Sequence, residues 1–114
     1  LMSERRMQDR IKLHGYLADI ADGCRVYGGI VENISTEGFC LSDLPSKFAV
    51  QPQKYCIVIS GEMDSVHLHY KLTVFPCWRK LNNTSIDVGF RITEVPERWR
   101  RFVREILLQQ LEEW

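Results

Sequence analysis

A chain of 114 residues is long enough for one domain with its own core and too short for two of ordinary size. Fifteen basic and fifteen acidic side chains give a formal net charge of zero, which argues against a general polyanion binder whose affinity comes from summed cationic charge. No run of about 18 apolar residues occurs, and the first residues lack the apolar core of a signal peptide, so neither membrane insertion nor export is expected.

Residues 1–10 are charged and carry no apolar period, so they read as a flexible N-terminal arm ahead of a single domain over residues 11–114. Short strand-like runs follow: Ile11 and Leu13, then Tyr16 to Ile20. Asp22-Gly23 turns the chain into Cys24, Val26, Gly28 and Ile30, which alternate at period two. Gly28-Gly29 inside that run suggests a bulge or a close backbone approach. Beyond a turn at Asn33–Gly38 come Phe39-Cys40-Leu41 and a loop broken by Pro45 and Pro52. Lys54 to Ile59 reads as a strand ended by Ser60-Gly61.

Val66, Leu68, Tyr70, Leu72 and Val74 then alternate against polar residues until Pro76 interrupts. Asn82-Asn83 turns the chain into Ile86, Val88, Phe90 and Ile92, a second clean alternation. Six or so short strands at this spacing predict an antiparallel barrel or sandwich. Pro96 fits the first turn of one closing helix. Its residues Trp99, Phe102, Val103, Ile106, Leu107 and Leu111 share a face that would cap an open barrel end, while Leu108 falls off that stripe. The four cysteines, Cys24, Cys40, Cys56 and Cys77, form no C-x-x-C pair, and they read as core filling in a reducing compartment, hence a cytoplasmic protein.

Two clusters carry the chemistry. Arg5-Arg6 is followed by Arg10, and arginine forks suit phosphates and guanine edges. Asn33, Ser35 and Gly38 set an amide and a hydroxyl against a tight turn, which suits a base edge. Together they suggest a receptor for a guanine nucleotide bearing several phosphates, rather than an enzyme. Either cluster alone would read more blandly, as a solvated charge run or as a turn whose serine bonds local backbone.

With Arg6-x-x-x-Arg10 and Asn33-x-Ser35-x-x-Gly38 in that order, and 22 residues between Arg10 and Asn33, the chain resembles a PilZ domain over essentially its whole length. Val88-Gly89-Phe90-Arg91-Ile92 also resembles that family's closing strand. The resemblance implies a mostly-β fold, a six-stranded antiparallel barrel with a C-terminal α-helix, and binding of the second messenger cyclic di-GMP. Arg6 and Arg10 would clamp the ligand, with Asn33, Ser35 and Gly38 at a guanine. Asn33 stands where the family more often has Asp, which removes a charged acceptor for the guanine N–H groups. An arginine placed as Arg5 is tends, in such domains, to stack on a second, intercalated cyclic di-GMP. Trp78-Arg79 would offer a stacking surface beside the site.

Other readings are weaker. His67 and His69 point the same way from a strand, but no third metal ligand is identifiable, and an exposed polar face explains them. Ser35 has no G-x-S-x-G context for a nucleophile. A single-stranded RNA binder would display aromatics among basic residues, and Tyr16, Tyr27, Tyr55, Tyr70 and Trp78 form no such motif. The expectation is therefore a non-enzymatic cyclic di-GMP receptor that needs no cofactor or metal and contacts no nucleic acid. It would signal to an unidentified effector protein by ordering its arm; the alternative is an adapter on the same fold that works without nucleotide.

Overall fold

Residues 10–112 are described by the computed structural model as strands β1 (Ile11–Lys12), β2 (Leu17–Ala21), β3 (Val26–Ile34), β4 (Gly38–Pro45), β5 (Tyr55–Met63), β6 (Val66–Leu81) and β7 (Ser85–Ile92), followed by helix α1 (Glu97–Glu112). Strand order is β1-β3-β2-β5-β6-β7-β4, and pairing of β3 with β4 closes β2 to β7 into a six-stranded antiparallel barrel. Closure satisfies the backbone ladder without leaving a long free edge. Strand β1 continues the line of β2 along the same side of β3: Lys12 faces Asn33 and Leu17 faces Ile30. Between them the chain bends outward at Gly15, whose φ of 81° is one that glycine adopts without strain.

Inward side chains follow the expected alternation. Ile20, Val31, Ile34, Leu41, Ile57, Ile59, Val74, Ile86 and Val88 fill the barrel and are buried. In β3, however, the alternating set chosen from sequence faces out: Val26 and Ile30 are exposed, while Tyr27 and Val31 enter the core. Alternation gives the period of a strand but not which face meets the interior when both faces carry apolar residues.

Two breaks read from sequence are corrected. Strand β5 runs through Ser60-Gly61 to Met63, and the turn falls at Asp64-Ser65, both left-handed with φ of 53° and 67°, as a two-residue hairpin turn requires. Gly61 is instead a packing glycine, since a Cβ there would lie 2.2 Å from the Tyr16 ring. Strand β6 likewise passes through Pro76, with a register shift between Pro76 and Trp78. Its partner β5 ends its pairing at Val74, so Pro76 sits where β6 has become an edge and its missing N–H leaves no gap in a ladder.

Each barrel end has an aromatic stopper. Phe48, from the β4–β5 loop, packs on Tyr27 and Tyr55 at one end. At the other, α1 inserts Trp99 and Phe102 among Tyr16, Phe39 and Tyr70. The helix stripe is shorter than expected: Trp99, Phe102, Val103 and Ile106 are buried, but Leu107 and Leu111 stay exposed along with Leu108, because the helix runs past the rim. The thiols are corrected too. Only Cys40 is buried; Cys24, Cys56 and Cys77 are exposed, and all four are free.

Trp99 is fully buried and its indole N–H donates to the Ser35 carbonyl at 3.1 Å. Trp99→Ala should therefore cost about 3–5 kcal/mol in a denaturant titration. Trp99→Phe, which keeps most of the packing but leaves that carbonyl without its donor, should cost less, on the order of 1–3 kcal/mol.

Candidate ligand-binding face

The Asn33–Gly38 segment is the hairpin joining β3 to β4. Its last paired residues are Ile34 and Phe39, and the Ser35 amide donates to the Gly38 carbonyl at 2.8 Å. The Ser35 hydroxyl donates to the same carbonyl at 3.2 Å and accepts from the Gly38 amide at 3.1 Å. A hydroxyl has one donor and two acceptor lone pairs, so in this geometry Ser35 retains capacity only to accept. Gly38 is required by a neighbour: a Cβ would lie 2.4 Å from the Phe90 carbonyl oxygen of β7. The Ile92 amide donates to the Glu37 carbonyl at 2.8 Å, and Trp99 holds Ser35 from below, so the hairpin is braced by β7 and α1 together.

Arg10 and Asn33, 23 residues apart in sequence, meet on the barrel's outer surface. The Arg10 guanidinium donates to Asn33 Oδ1 at 3.4 Å. This follows from the pairing of Lys12 with Asn33, which brings the residue two before Lys12 alongside β3. A bulge between Val31 and Asn33 turns Asn33 outward while Ile34 returns to the core. Among the described residues, the Asn33 amide nitrogen makes no hydrogen bond.

From Asn33 the register runs around the outer wall. Asn33 pairs with Cys40, Cys40 with Gly89, and Gly89 with Trp78. Three strand spacings, half the circuit of the six-stranded barrel and about 14 Å along the curved wall, separate the first from the last. The parallel row holds Gly38, Arg91 and Phe75, with the Arg91 guanidinium 5.6 Å above the Phe75 ring. Gly38, Cys40 and Gly89 contribute only small side chains to these rows, and the Trp78 indole lies over Gly89. Asn33 and Arg10 stand at one side, Trp78 and Phe75 at the other, and Arg91 between. Trp78 is 42% exposed.

The residues expected from sequence thus divide. Arg10, Asn33, Ser35, Gly38 and Trp78 come together on or beside this face. Arg5 and Arg6 lie outside the described residues. Arg79 pairs with Val88, one position along from Trp78, and so points to the other side of β6. His67 and His69 belong to a different part of the wall and have their own cross-strand partners, Glu62 at 3.4 Å and Ser60 at 3.1 Å. Sequence reasoning read Gly89 and Arg91 only as part of a closing strand and Cys40 only as core filling, and placed none of them at the site. Alternation in β7 marks Arg91 and Gly89 as outward, but only the β4–β7–β6 pairing shows what they stand beside.

Cys40 lies mid-row. Burial pushes its thiol up to about 11, and Asp87 pushes the same way, while the Arg10 charge opposes them.

No family model matches the chain, and no curated protein does. Solved structures do match. The Bacillus subtilis inhibitor of motility MotI/DgrA superposes with a TM-score of 0.77 at 11% identity, over 91% of this chain and 50% of that one. This chain thus spans half the length of that protein. The PilZ domain of CeSA from a cellulose-synthesizing bacterium superposes with a TM-score of 0.55 at 20% identity, over 90% of this chain and 97% of that domain. The likeness is one of fold: the barrel with its terminal helix is the PilZ fold.

Thiol chemistry provides a check on this geometry. A disulfide exchange reagent at pH 8 should modify three thiols in the native protein, and the fourth, Cys40, only on unfolding. Because the folded-state value of Cys40 is raised, the folded state holds the proton more tightly than the unfolded chain. Its contribution to stability should be complete below about pH 9 and decline as pH rises toward about 11, an effect that Cys40→Ser should reduce in denaturant titrations across that range.

Proposed function

We propose that this PilZ-fold chain is a receptor for cyclic di-GMP that relays the level of the messenger to a partner protein. The observation that carries the reading is the meeting of Arg10 with Asn33 beside the Ser35–Gly38 turn, on a face that ends in an exposed tryptophan. Arg10 donates to a neutral amide at long range, a bond worth about 1 kcal/mol. A phosphate oxygen would set an opposite charge against the guanidinium and admit a bidentate fork, neither of which the amide offers, so the guanidinium gains by exchanging partners. The Asn33 amide nitrogen can donate to guanine O6 or N7, and the remaining lone pair of Ser35 can accept a guanine N–H. Trp78 offers a stacking plane, and Arg91 adds a second cation on this face.

Arg5 and Arg6 enter this reading from sequence alone: Arg6 as the clamp's other arm and Arg5 as the stacking partner of a second, intercalated ligand. Arg79 would serve from the adjoining face of β6. No cofactor or catalytic group is invoked. The relay would begin with the arm folding over the ligand. Support comes from its junction with the barrel, where Gln110 of α1 donates to the Lys12 carbonyl at 2.7 Å. Order imposed at Arg10 thus adjoins a contact with the last turns of α1, which present Leu107, Leu108 and Leu111 to solvent. Four free thiols are in keeping with a reducing compartment such as the cytoplasm.

Calorimetric titration tests the proposal. Cyclic di-GMP should bind in the micromolar range while GTP and cyclic GMP give no heat, and two ligands per protomer would support the role given to Arg5. Arg10→Ala should weaken binding at least tenfold while changing folding stability by less than about 0.5 kcal/mol, as for an ordinary surface position. Absence of heat and of thermal shift with the wild-type protein would overturn the receptor reading in favour of the nucleotide-independent adapter.

A further inference from the structure

Gly89 faces outward on β7 and is nevertheless buried, because the Trp78 indole lies on it. A Cβ at position 89 would stand 2.1 Å from Trp78 Nε1, 2.4 Å from Cε2 and 2.8 Å from Cδ1. The indole thus occupies the space that any other residue's side chain would fill. Trp78 extends from the edge portion of β6, where β7 is its sole strand neighbour, and lies back across β7 toward Cys40 and Asn33.

We infer that Gly89 is a positioning residue for ligand binding: the absence of a Cβ lets the Trp78 indole lie along β7, with its free face forming the base platform of the site. The inference rests on the receptor reading and adds to it the residue that sets the platform's height and angle. A side chain at 89 would lift the indole off β7 and tilt it away from Asn33. The fold itself would tolerate this. The displaced group is the indole of a half-exposed surface side chain, and replacing a strand glycine reduces the conformational freedom of the unfolded chain. The bland alternative is that Trp78 only shields the backbone of a strand glycine, as aromatic cross-strand neighbours do. In that case the orientation of the indole has no bearing on a ligand.

The two accounts separate in a double-mutant cycle read by calorimetry with cyclic di-GMP, using Gly89→Ala, Trp78→Ala and the pair. If Gly89 acts through Trp78, Gly89→Ala weakens binding about tenfold in the wild-type background, the scale of one lost base-stacking contact. In the Trp78→Ala background it weakens binding less than twofold, and the thermal midpoint of Gly89→Ala is unchanged or raised. Equal weakening in both backgrounds, or none in either, overturns the inference while leaving the receptor reading intact. Failure of the wild-type protein to bind removes that reading and this inference with it. A ligand-free measurement guards against a Trp78→Ala variant too weak to titrate. The indole N–H resonance of Trp78 should move in Gly89→Ala while that of buried Trp99 stays in place, and an unmoved Trp78 resonance also overturns the inference.

Discussion

The hydrogen bond from the Trp99 indole to the Ser35 carbonyl is the contact on which the rest of the arrangement depends. Trp99 is the largest fully buried side chain and sits among Phe39, Tyr70 and Phe102 at the mouth of the barrel. One side chain therefore does two things: its ring fills the end of the core, and its N–H satisfies a carbonyl in the hairpin that carries Asn33 and Ser35. A buried indole without an acceptor would carry a desolvation cost, so core packing and hairpin placement favour the same geometry. The helix closes the barrel and fixes the candidate site in one step.

Close approach of backbones supplies the second constraint. Gly38 lets the hairpin press against the Phe90 carbonyl, and Gly89 lets an indole lie against β7. With Cys40 between them, these residues keep side chains short along the row where β3, β4 and β7 adjoin. The Trp78 indole is laid on that row at Gly89, while Asn33 and Arg10 stand beyond Cys40.

Charge works locally here. The chain as a whole is neutral, yet Arg10 and Arg91 both lie on this one face. Among the described residues, Arg10 is held by an amide and not by a carboxylate, a contact that uses only part of its guanidinium. Arg91 is held over an aromatic ring, which likewise leaves its hydrogen-bonding edge available. Neither contact is strong, and weakly held cations on a neutral protein suit a specific anion better than a polyanion.

Much of this was legible in the residues themselves. Period-two alternation in Tyr70–Val74 and Ile86–Ile92 marked core strands, and the stripe from Trp99 to Ile106 marked the helix, because burial of one face demands those periods. The spaced motifs at Arg6–Arg10 and Asn33–Gly38 named a candidate site only by occurring together, since either alone has blander uses; the fold brings Arg10 to Asn33, and Arg6 lies outside the described residues. Ser60-Gly61 and Pro76 misled, because glycine and proline mark a turn only when nothing else explains them. Gly61 answers to the Tyr16 ring, and Pro76 to an edge that appears once β5 has ended. Which face of β3 enters the core, and that Gly89, Arg91 and Trp78 adjoin the motif, depended on strands far apart in sequence coming into register. Local sequence determined the elements and the chemistry of the motif. The tertiary structure decided the neighbours, because register and barrel closure are set by how the whole core packs and not by any one segment of it.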